Sequence, residues 1–428
     1  MEEIIATDQL SKFLESGIYR FESSNAVFMD PVRVLNRSYT SFRVSPSTYY
    51  SRFFESKHAD QARTASSDKI SRKRKRKQRR PQILNEREQV ADQRHQLVRS
   101  LLMEAHESLL GADDLLAVVR NLRENFCSSD SKAKECGKDL WTGVEQSFVE
   151  LGRVWQAPLF EITVSSKQRN RPDSFAGNMI NQCNEDRVLP LFNCLVGNMT
   201  SDDAEAKVLD RRYIIPRESS FYMSDLGQIH NVIPADSDCG YSLIIIDPPW
   251  ENGSAYQKSM YQTLPNRYFL SLPIKQLIHT EGALLALWVT NREKLLNFVE
   301  NELFPAWGVR FAATFYWLKV QADGSLISDI DLFHHRPYER LLLGYCDGVG
   351  MNSEHLSKVI PIKDNQVIIS IPGDYSRKPP IGDLLMEHVP ALKPTRCIEL
   401  FAREMMAGWV SWGNEPLYFQ ESGYFQQI

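Results

Sequence analysis

Asp247-Pro248-Pro249-Trp250 is the stretch of this 428-residue chain whose residue types suit chemistry best. It follows Tyr241-Ser242-Leu243-Ile244-Ile245-Ile246, a β-branched apolar run that reads as a buried strand. In open α/β sheets ligands bind beyond the carboxyl ends of the strands, which is where this tetrapeptide falls. Consecutive prolines fix φ and lack N–H groups, so Pro248 and Pro249 make a stiff turn with outward carbonyls. Such a turn suits methylation of an exocyclic adenine nitrogen, a poor nucleophile because its lone pair is delocalised into the ring. The Asp247 carboxylate and the Pro248 carbonyl can accept the two amino protons and turn the lone pair towards an electrophilic methyl carbon. Trp250 offers a face for stacking on the base, worth about 1–3 kcal/mol. The nitrogen becomes acidic only after transfer, so no strong general base is required; catalysis would rest on positioning and desolvation.

The elements that must position this turn are legible around it. Leu243–Ile246, Ala283–Val289, Ala312–Leu318, Leu341–Tyr345, Val367–Ile371 and Arg396–Phe401 read as strands. Ile274–His279, Glu293–Leu303 and Ile381–His388 between them suit helices. The alternation predicts an α/β fold with a parallel or mostly parallel sheet covered on both faces. No Gly-x-Gly-x-x-Gly occurs, which argues against an ordinary dinucleotide-binding domain. Upstream, Ala26-Val27-Phe28 and Val32–Leu35 read as short strands. Leu97, Leu101, Leu102, His106, Leu109 and Leu110 form a helical stripe broken by Gly111, after which Asp113 can cap a second helix. The expected organisation is a small β-containing unit over 1–60, a basic disordered linker over 61–82, a helical middle region over 83–210 and the α/β domain over 211–428.

Net charge is −4, yet Arg72–Arg80 packs eight positive charges into nine residues and leaves −12 for the remainder. A run of this kind cannot pack and suits nuclear import or contact with a polyphosphate. The seven cysteines are scattered without a Cys-x-x-Cys pair, and His334-His335 are adjacent rather than at a ligand spacing. These patterns predict thiols in a reducing compartment and no metal site. No run of about twenty apolar residues predicts a membrane span, and Met1–Ile5 does not resemble a secretion signal.

Residues Arg212 to Tyr418 resemble the eukaryotic adenine-N(6) methyltransferase family typified by the seventy-kilodalton catalytic subunit of the messenger-RNA adenosine methyltransferase. Within that family they are most similar to the methyltransferase-like protein four branch. The likeness rests on Tyr222-Met223-Ser224-Asp225-Leu226, Asp247–Asn252, Leu287-Trp288-Val289-Thr290-Asn291, Glu399-Leu400-Phe401-Ala402-Arg403 and Trp412-Gly413-Asn414-Glu415. It implies a Rossmann-like S-adenosylmethionine-dependent methyltransferase sheet, with S-adenosylhomocysteine as the product. By resemblance, Asp225 and Leu226 flank the cofactor and Asp247 lies beside its methionyl ammonium. Lys378 lies near its carboxylate, Glu399, Leu400 and Arg403 hold the ribose, and Asn414 is a terminal contact. In place of the His-Asn that follows the matching arginine in the messenger-RNA enzyme, this chain has Met405-Met406.

On the substrate side the resemblance points to Trp250, Asn252, Trp317, Lys319, Arg336, Tyr338 and Glu339, with Arg336 on phosphate and Tyr338 stacking. The branch implies a nuclear RNA acceptor, first a 2′-O-methyladenosine of the spliceosomal U-two small nuclear RNA. DNA adenine is the second choice, since Asp-Pro-Pro-Trp constrains the atom methylated and not the polymer. A catalytically silent RNA-binding subunit is the reading from another class, disfavoured by the intact tetrapeptide. The N-terminal extension could supply a substrate platform in cis, which favours a monomer while leaving a heterodimer open.

Overall fold

The computed structural model describes residues 2–52, 86–123, 147–167, 184–236, 240–251, 263–333, 335–348, 360–374, 376–390 and 395–428. The basic run Arg72–Arg80, the 61–82 linker and Asn252 lie outside the described residues. Seventeen strands are described: β1 (Ile18–Arg20), β2 (Ala26–Met29), β3 (Phe42–Val44), β4 (Glu161–Lys167), β5 (Asn184–Pro190), β6 (Leu195–Asn198), β7 (Ala204–Val208), β8 (Arg211–Ile215), β9 (Ser219–Met223), β10 (Leu243–Ile246), β11 (Ala283–Val289), β12 (Val309–Lys319), β13 (Tyr338–Cys346), β14 (Val367–Ser370), β15 (Cys397–Leu400), β16 (Trp409–Gly413) and β17 (Phe425–Gln427). Eleven of them form one sheet in the order β1-β2-β14-β12-β13-β11-β10-β15-β16-β9-β6. β13 runs antiparallel to β11 and β12, and β1 and β6 run antiparallel to their neighbours. The remaining pairs are parallel. The expected α/β architecture with a mostly parallel sheet is therefore what the chain forms.

The central strands are apolar throughout because both faces are covered. Ile244 and Ile246 of β10 enter one core with Leu285 and Leu287 of β11 and Ile398 and Leu400 of β15. Leu243, Ile245, Ala286, Trp288 and Cys397 enter the core on the opposite face. The first core is roofed by the helical segment that begins at Glu293 and passes through a π turn, Val299–Leu303. It ends after Trp307, where Gly308 takes a left-handed φ of 70°. The second face is covered partly by Ile381, Leu384 and Leu385, around the short helix Gly382–Leu385.

Packing departs from the expected organisation in three places. First, the N-terminal residues do not stand apart: β2 pairs in parallel with β14, and Phe28 is fully buried. Second, Val32–Leu35 is helical rather than extended, within α2 (Pro31–Asn36). The reason is local: Asp30 accepts from the Val32 N–H at 3.1 Å as the N-cap, and Pro31 sits in the first turn. Third, the middle region is helical in α4 (Glu86–Leu110) and α5 (Asp113–Arg120), but the described residues 161–167 and 184–215 contribute an antiparallel sheet, β5-β4-β7-β8, and strand β6. Its inner row of Ile162, Val164, Ala206 and Ile215 packs with Phe221 and Met223 against the end of the large sheet. Helix α4 turns His95, Val98, Leu102, Ala105 and Leu109 inward, while Leu97 is 80 % exposed. Among the described residues no helix is long and apolar enough to cross a membrane, and no group of three or more His, Cys, Asp or Glu could hold a metal ion.

Because Phe28 joins the N-terminal segment to the large sheet, Phe28→Ala should lower the stability of the whole fold by about 3–5 kcal/mol. Urea unfolding followed by tryptophan fluorescence should show a single transition moved to lower denaturant. A separate early transition that leaves the main one in place would show that residues 1–50 fold independently.

Candidate active site

The parallel strands β9, β16, β15 and β10 end together, so the residues after Met223, Gly413, Leu400 and Ile246 share one edge. There the Asp247 N–H donates to the Leu400 carbonyl at 3.3 Å, and the Ser224 N–H to the Gly413 carbonyl at 3.0 Å. The turn at 247–250 is held from within and without. The Trp250 N–H donates to the Pro248 carbonyl at 2.7 Å, and the Leu264 N–H to the Pro249 carbonyl at 2.9 Å. Pro248 retains a second lone pair for another donor. The Trp250 indole is buried, donates to the Trp288 carbonyl at 2.8 Å and packs edge-on against Phe269 at 4.9 Å. Its expected role as a stacking surface is therefore corrected: the ring anchors the turn in the core.

Asp247 opens into a cavity on the Ile245 face of the sheet. Lys378, Glu399 and Arg403 also line it, as do Trp288, Ile381 and Phe401. Lys378 Nζ stands 3.2 Å from Asp247 Oδ1 and 3.4 Å from Glu339 Oε2. Lys319 pairs with the other oxygen of Glu339 and lies over the Trp317 ring at 4.3 Å. A chain of alternating charge thus runs Asp247, Lys378, Glu339, Lys319. Burial alone would raise Glu339, but the two ammonium groups outweigh it and hold the carboxyl at about 2. Burial pushes Asp247 up against the pull of Lys378. Glu399 is pushed up to about 8 by burial, reinforced by Asp247 and Glu404 and opposed by Lys378.

Other expected residues fall elsewhere. Asp225 is exposed and caps the turn Leu226–Val232, accepting from the Gly227 N–H at 2.9 Å. Asn414 is exposed after β16. Both lie on the ligand-facing edge but outside the cavity, and Leu226 packs beside the opposite core. The Leu400 side chain is buried in that core, leaving only its backbone towards the edge. Tyr338 is 1 % exposed, with its hydroxyl 3.1 Å from His95 Nδ1 and its ring stacked on His95, so it offers no face to a base. Arg336 is spent on Asp92 at 3.3 Å and the Leu332 carbonyl at 2.9 Å, which removes it as a free phosphate contact. Trp317 is buried, its indole donating to Ser370 Oγ at 2.7 Å. These corrections share a cause: sequence shows a residue's type but not whether a neighbouring element, here α4 for Tyr338 and Arg336, covers it.

Sequence reasoning missed Arg377 and Glu404, which line the cavity as an ion pair, and Trp288, over whose ring Lys378 lies at 5.8 Å. The available signals were position: Arg377 precedes Lys378, Glu404 follows Arg403, and Trp288 stands in the Leu287–Asn291 motif.

The family model MT-A70 matches residues 241–415, the segment that carries the tetrapeptide and most of the cavity wall. The chain carries an MT-A70 domain. It is 35 % identical over 244 residues to the N(6)-adenine-specific methyltransferase METTL4 of Mus musculus, covering 55 % of this chain and 50 % of that protein. It is 34 % identical to the N6-methyladenosine RNA methyltransferase MTA1 of Pyricularia oryzae, over 49 % of this chain and 56 % of that one. The DNA N6-methyl methyltransferase of Caenorhabditis elegans is 32 % identical, over 50 % and 56 % respectively. The chain thus spans about half the length of these curated relatives. The sheet, with its mostly parallel order, is compatible with a Rossmann-like methyltransferase, and the MT-A70 domain agrees with the resemblance to the methyltransferase-like protein four branch.

A carboxyl that holds its proton more tightly when folded favours the folded state fully below its unfolded value, 4.5 for Glu399, and that advantage is lost as pH rises to about 8. The thermal midpoint of the wild type should fall relative to that of Glu399→Gln across this window. Parallel midpoint curves between pH 5 and 9 would show that Glu399 ionises normally.

Proposed function

We propose that the chain is an S-adenosylmethionine-dependent adenine-N(6) methyltransferase. The observation that carries this reading is the Asp247 carboxylate, held at a strand end by a buried Trp250 anchor and opening into a cavity that also holds Lys378 and Glu399. The donor set fits the cofactor. An amino-acid end needs an acid and a base together, and Asp247 and Lys378 stand 3.2 Å apart. Glu399 is a half-buried carboxylate whose pKa is raised to about 8, and the two hydroxyls of a ribose would supply hydrogen bonds that favour its ionised form. Arg403 lines the same wall, and Asp225, Leu226, the Leu400 backbone and Asn414 continue the edge for the outer part of the ligand.

When bound, S-adenosylmethionine supplies the electrophilic methyl group. The chain's own residues hold the acceptor. Asp247 keeps one oxygen on Lys378 and has a second to accept an amino proton of adenine. The free lone pair of the Pro248 carbonyl accepts the other. Trp250 and the Leu264 N–H keep this pair of acceptors stiff, so orientation is set before the acceptor arrives. An adenine inside a duplex cannot present this edge, so an unpaired or flipped base is required.

For the polymer we favour RNA, with a 2′-O-methyladenosine of U-two small nuclear RNA as first candidate acceptor. The polymer is supported by relatives named for RNA methylation, and the small nuclear RNA acceptor is what the resemblance to the methyltransferase-like protein four branch implies. DNA adenine is the second reading, supported by the Caenorhabditis elegans relative named for DNA. Arg72–Arg80 is a basic run suited to nuclear import and to phosphate contact, which supports a nuclear site of action. β2 extends the sheet and α4 covers the β13 entry in cis, which supports a monomer.

Incubated with labelled S-adenosylmethionine and a panel of RNA and DNA oligonucleotides, the wild type should label single-stranded adenine, RNA before DNA. Asp247→Asn should lower transfer by about 10²–10³-fold while the fold is kept. Absence of transfer to every oligonucleotide, with no S-adenosylhomocysteine binding, would overturn the enzyme reading. A preference for DNA would overturn only the polymer.

A further inference from the structure

Arg377 stands next to Lys378 in sequence and is almost fully buried, at 3 % exposure. Nothing in the proposed chemistry requires a second buried cation at this point. Its guanidinium is paired along one edge with Glu404, the Nε to Oε2 distance being 3.1 Å. On its faces it meets Tyr49 and Phe419, each with the ring centroid 4.1 Å from the guanidinium carbon. Burying a guanidinium is costly unless it is paired and packed; this one is packed on both faces and paired through Nε and Nη2, with Nη1 buried and unpartnered among the described residues.

The same Tyr49 ring touches the other end of the loop. A side chain at Gly373 would place its first carbon 2.8 Å from Tyr49 Cε1, so the backbone at 373 fits only because glycine is there. Between these contacts Ser376 adopts a left-handed φ of 62°, a conformation a serine holds only when its surroundings enforce it. Tyr49 itself is fixed in α3 (Pro46–Tyr49), whose cap residue Ser45 donates its N–H to the Tyr424 carbonyl at 2.8 Å. The loop is thus gripped at 373 and at 377 by one ring from the N-terminal segment.

We propose that Arg377 is a positioning residue: clamped by Tyr49, Phe419 and Glu404, it fixes the loop so that Lys378 meets Asp247. Lys378 reaches both Asp247 and Glu339 from a single backbone position, and a shift of about 1 Å at such a site costs about 10²-fold in rate. Residues 45–50, none of which lines the cavity, therefore act on cofactor affinity through the loop. This inference rests on the methyl-transfer reading for the identity of the ligand, but the clamp itself is a property of the loop.

The test uses the full chain with Arg377→Met, Tyr49→Leu and the conservative Tyr49→Phe. Hydrogen exchange in peptides covering 371–378 should quicken in the first two variants, while peptides of β10 and α4 keep wild-type protection. S-adenosylhomocysteine should bind about tenfold more weakly by calorimetry, with affinity for a single-stranded RNA oligonucleotide unchanged. Tyr49→Phe should restore both readouts. Unchanged loop exchange in Tyr49→Leu and Arg377→Met would overturn the clamp. So would a parallel loss of cofactor and RNA affinity with general loss of protection, because it would mean only a damaged fold. If the wild type failed to bind S-adenosylhomocysteine, the methyl-transfer reading would fall, and loop exchange would still decide the clamp.

Discussion

Asp247 leaves water at the end of a strand whose two faces are both buried, and an ionised carboxylate in such a place needs cations to replace its hydration. Lys378 answers that need but brings its own burial cost, which Glu339 meets, and Glu339 in turn is held ionised by Lys319. Each group in the chain is tolerable only because of the next. The elements that deliver them are spread over the fold: β10 for Asp247, the loop after β14 for Lys378, and neighbouring ends of β13 and β12 for Glu339 and Lys319. The antiparallel placement of β13 between β11 and β12 is what brings Glu339 to the ligand edge, since β13 begins where those two strands end.

Stiffness around the turn has the same physical origin. The prolines remove backbone donors, so the turn cannot satisfy itself in the ordinary way and relies on an indole anchor and on Leu264 from outside. A ring buried in this manner cannot also stack on a base. The tryptophan of the tetrapeptide thus serves the geometry of the two acceptors rather than the substrate, and the conformation of the turn is set before any ligand arrives.

The N-terminal residues are part of this arrangement and not an appendage. Leu35 lines the cavity, β2 extends the sheet beside β14, and Tyr49 packs on the loop that carries Lys378. Helix α4 braces the entry to β13 through His95 and Asp92. The family model matches residues 241–415, so the surroundings that complete the site, among them Leu35, Tyr49 and α4, are drawn partly from outside the matched segment.

The strands and helices around Asp247 were legible in the sequence because a strand buried on both faces must be apolar along its whole length, a purely local signature. The tetrapeptide was equally legible, because two prolines after a buried run leave few conformations. Val32–Leu35 misled because four apolar residues suit either state, and the cap at Asp30 decided for helix. Residues 161–215 misled because short, partly polar strands carry weak periodicity. At the site, Asp247, Lys378, Glu399 and Arg403 were recognised through motifs and do line one cavity. By contrast Tyr338, Arg336 and Trp250 were assigned exposed work that burial denies them. What the sequence by itself determined was the sheet, the stiff acceptor turn and the charged residues available to it. Which of those residues face the cavity, which are spent on α4, and how Arg377 comes to lie between Tyr49 and Phe419 were decided only by tertiary structure. The reason is that burial and pairing depend on contacts between residues hundreds of positions apart, and no local pattern encodes them.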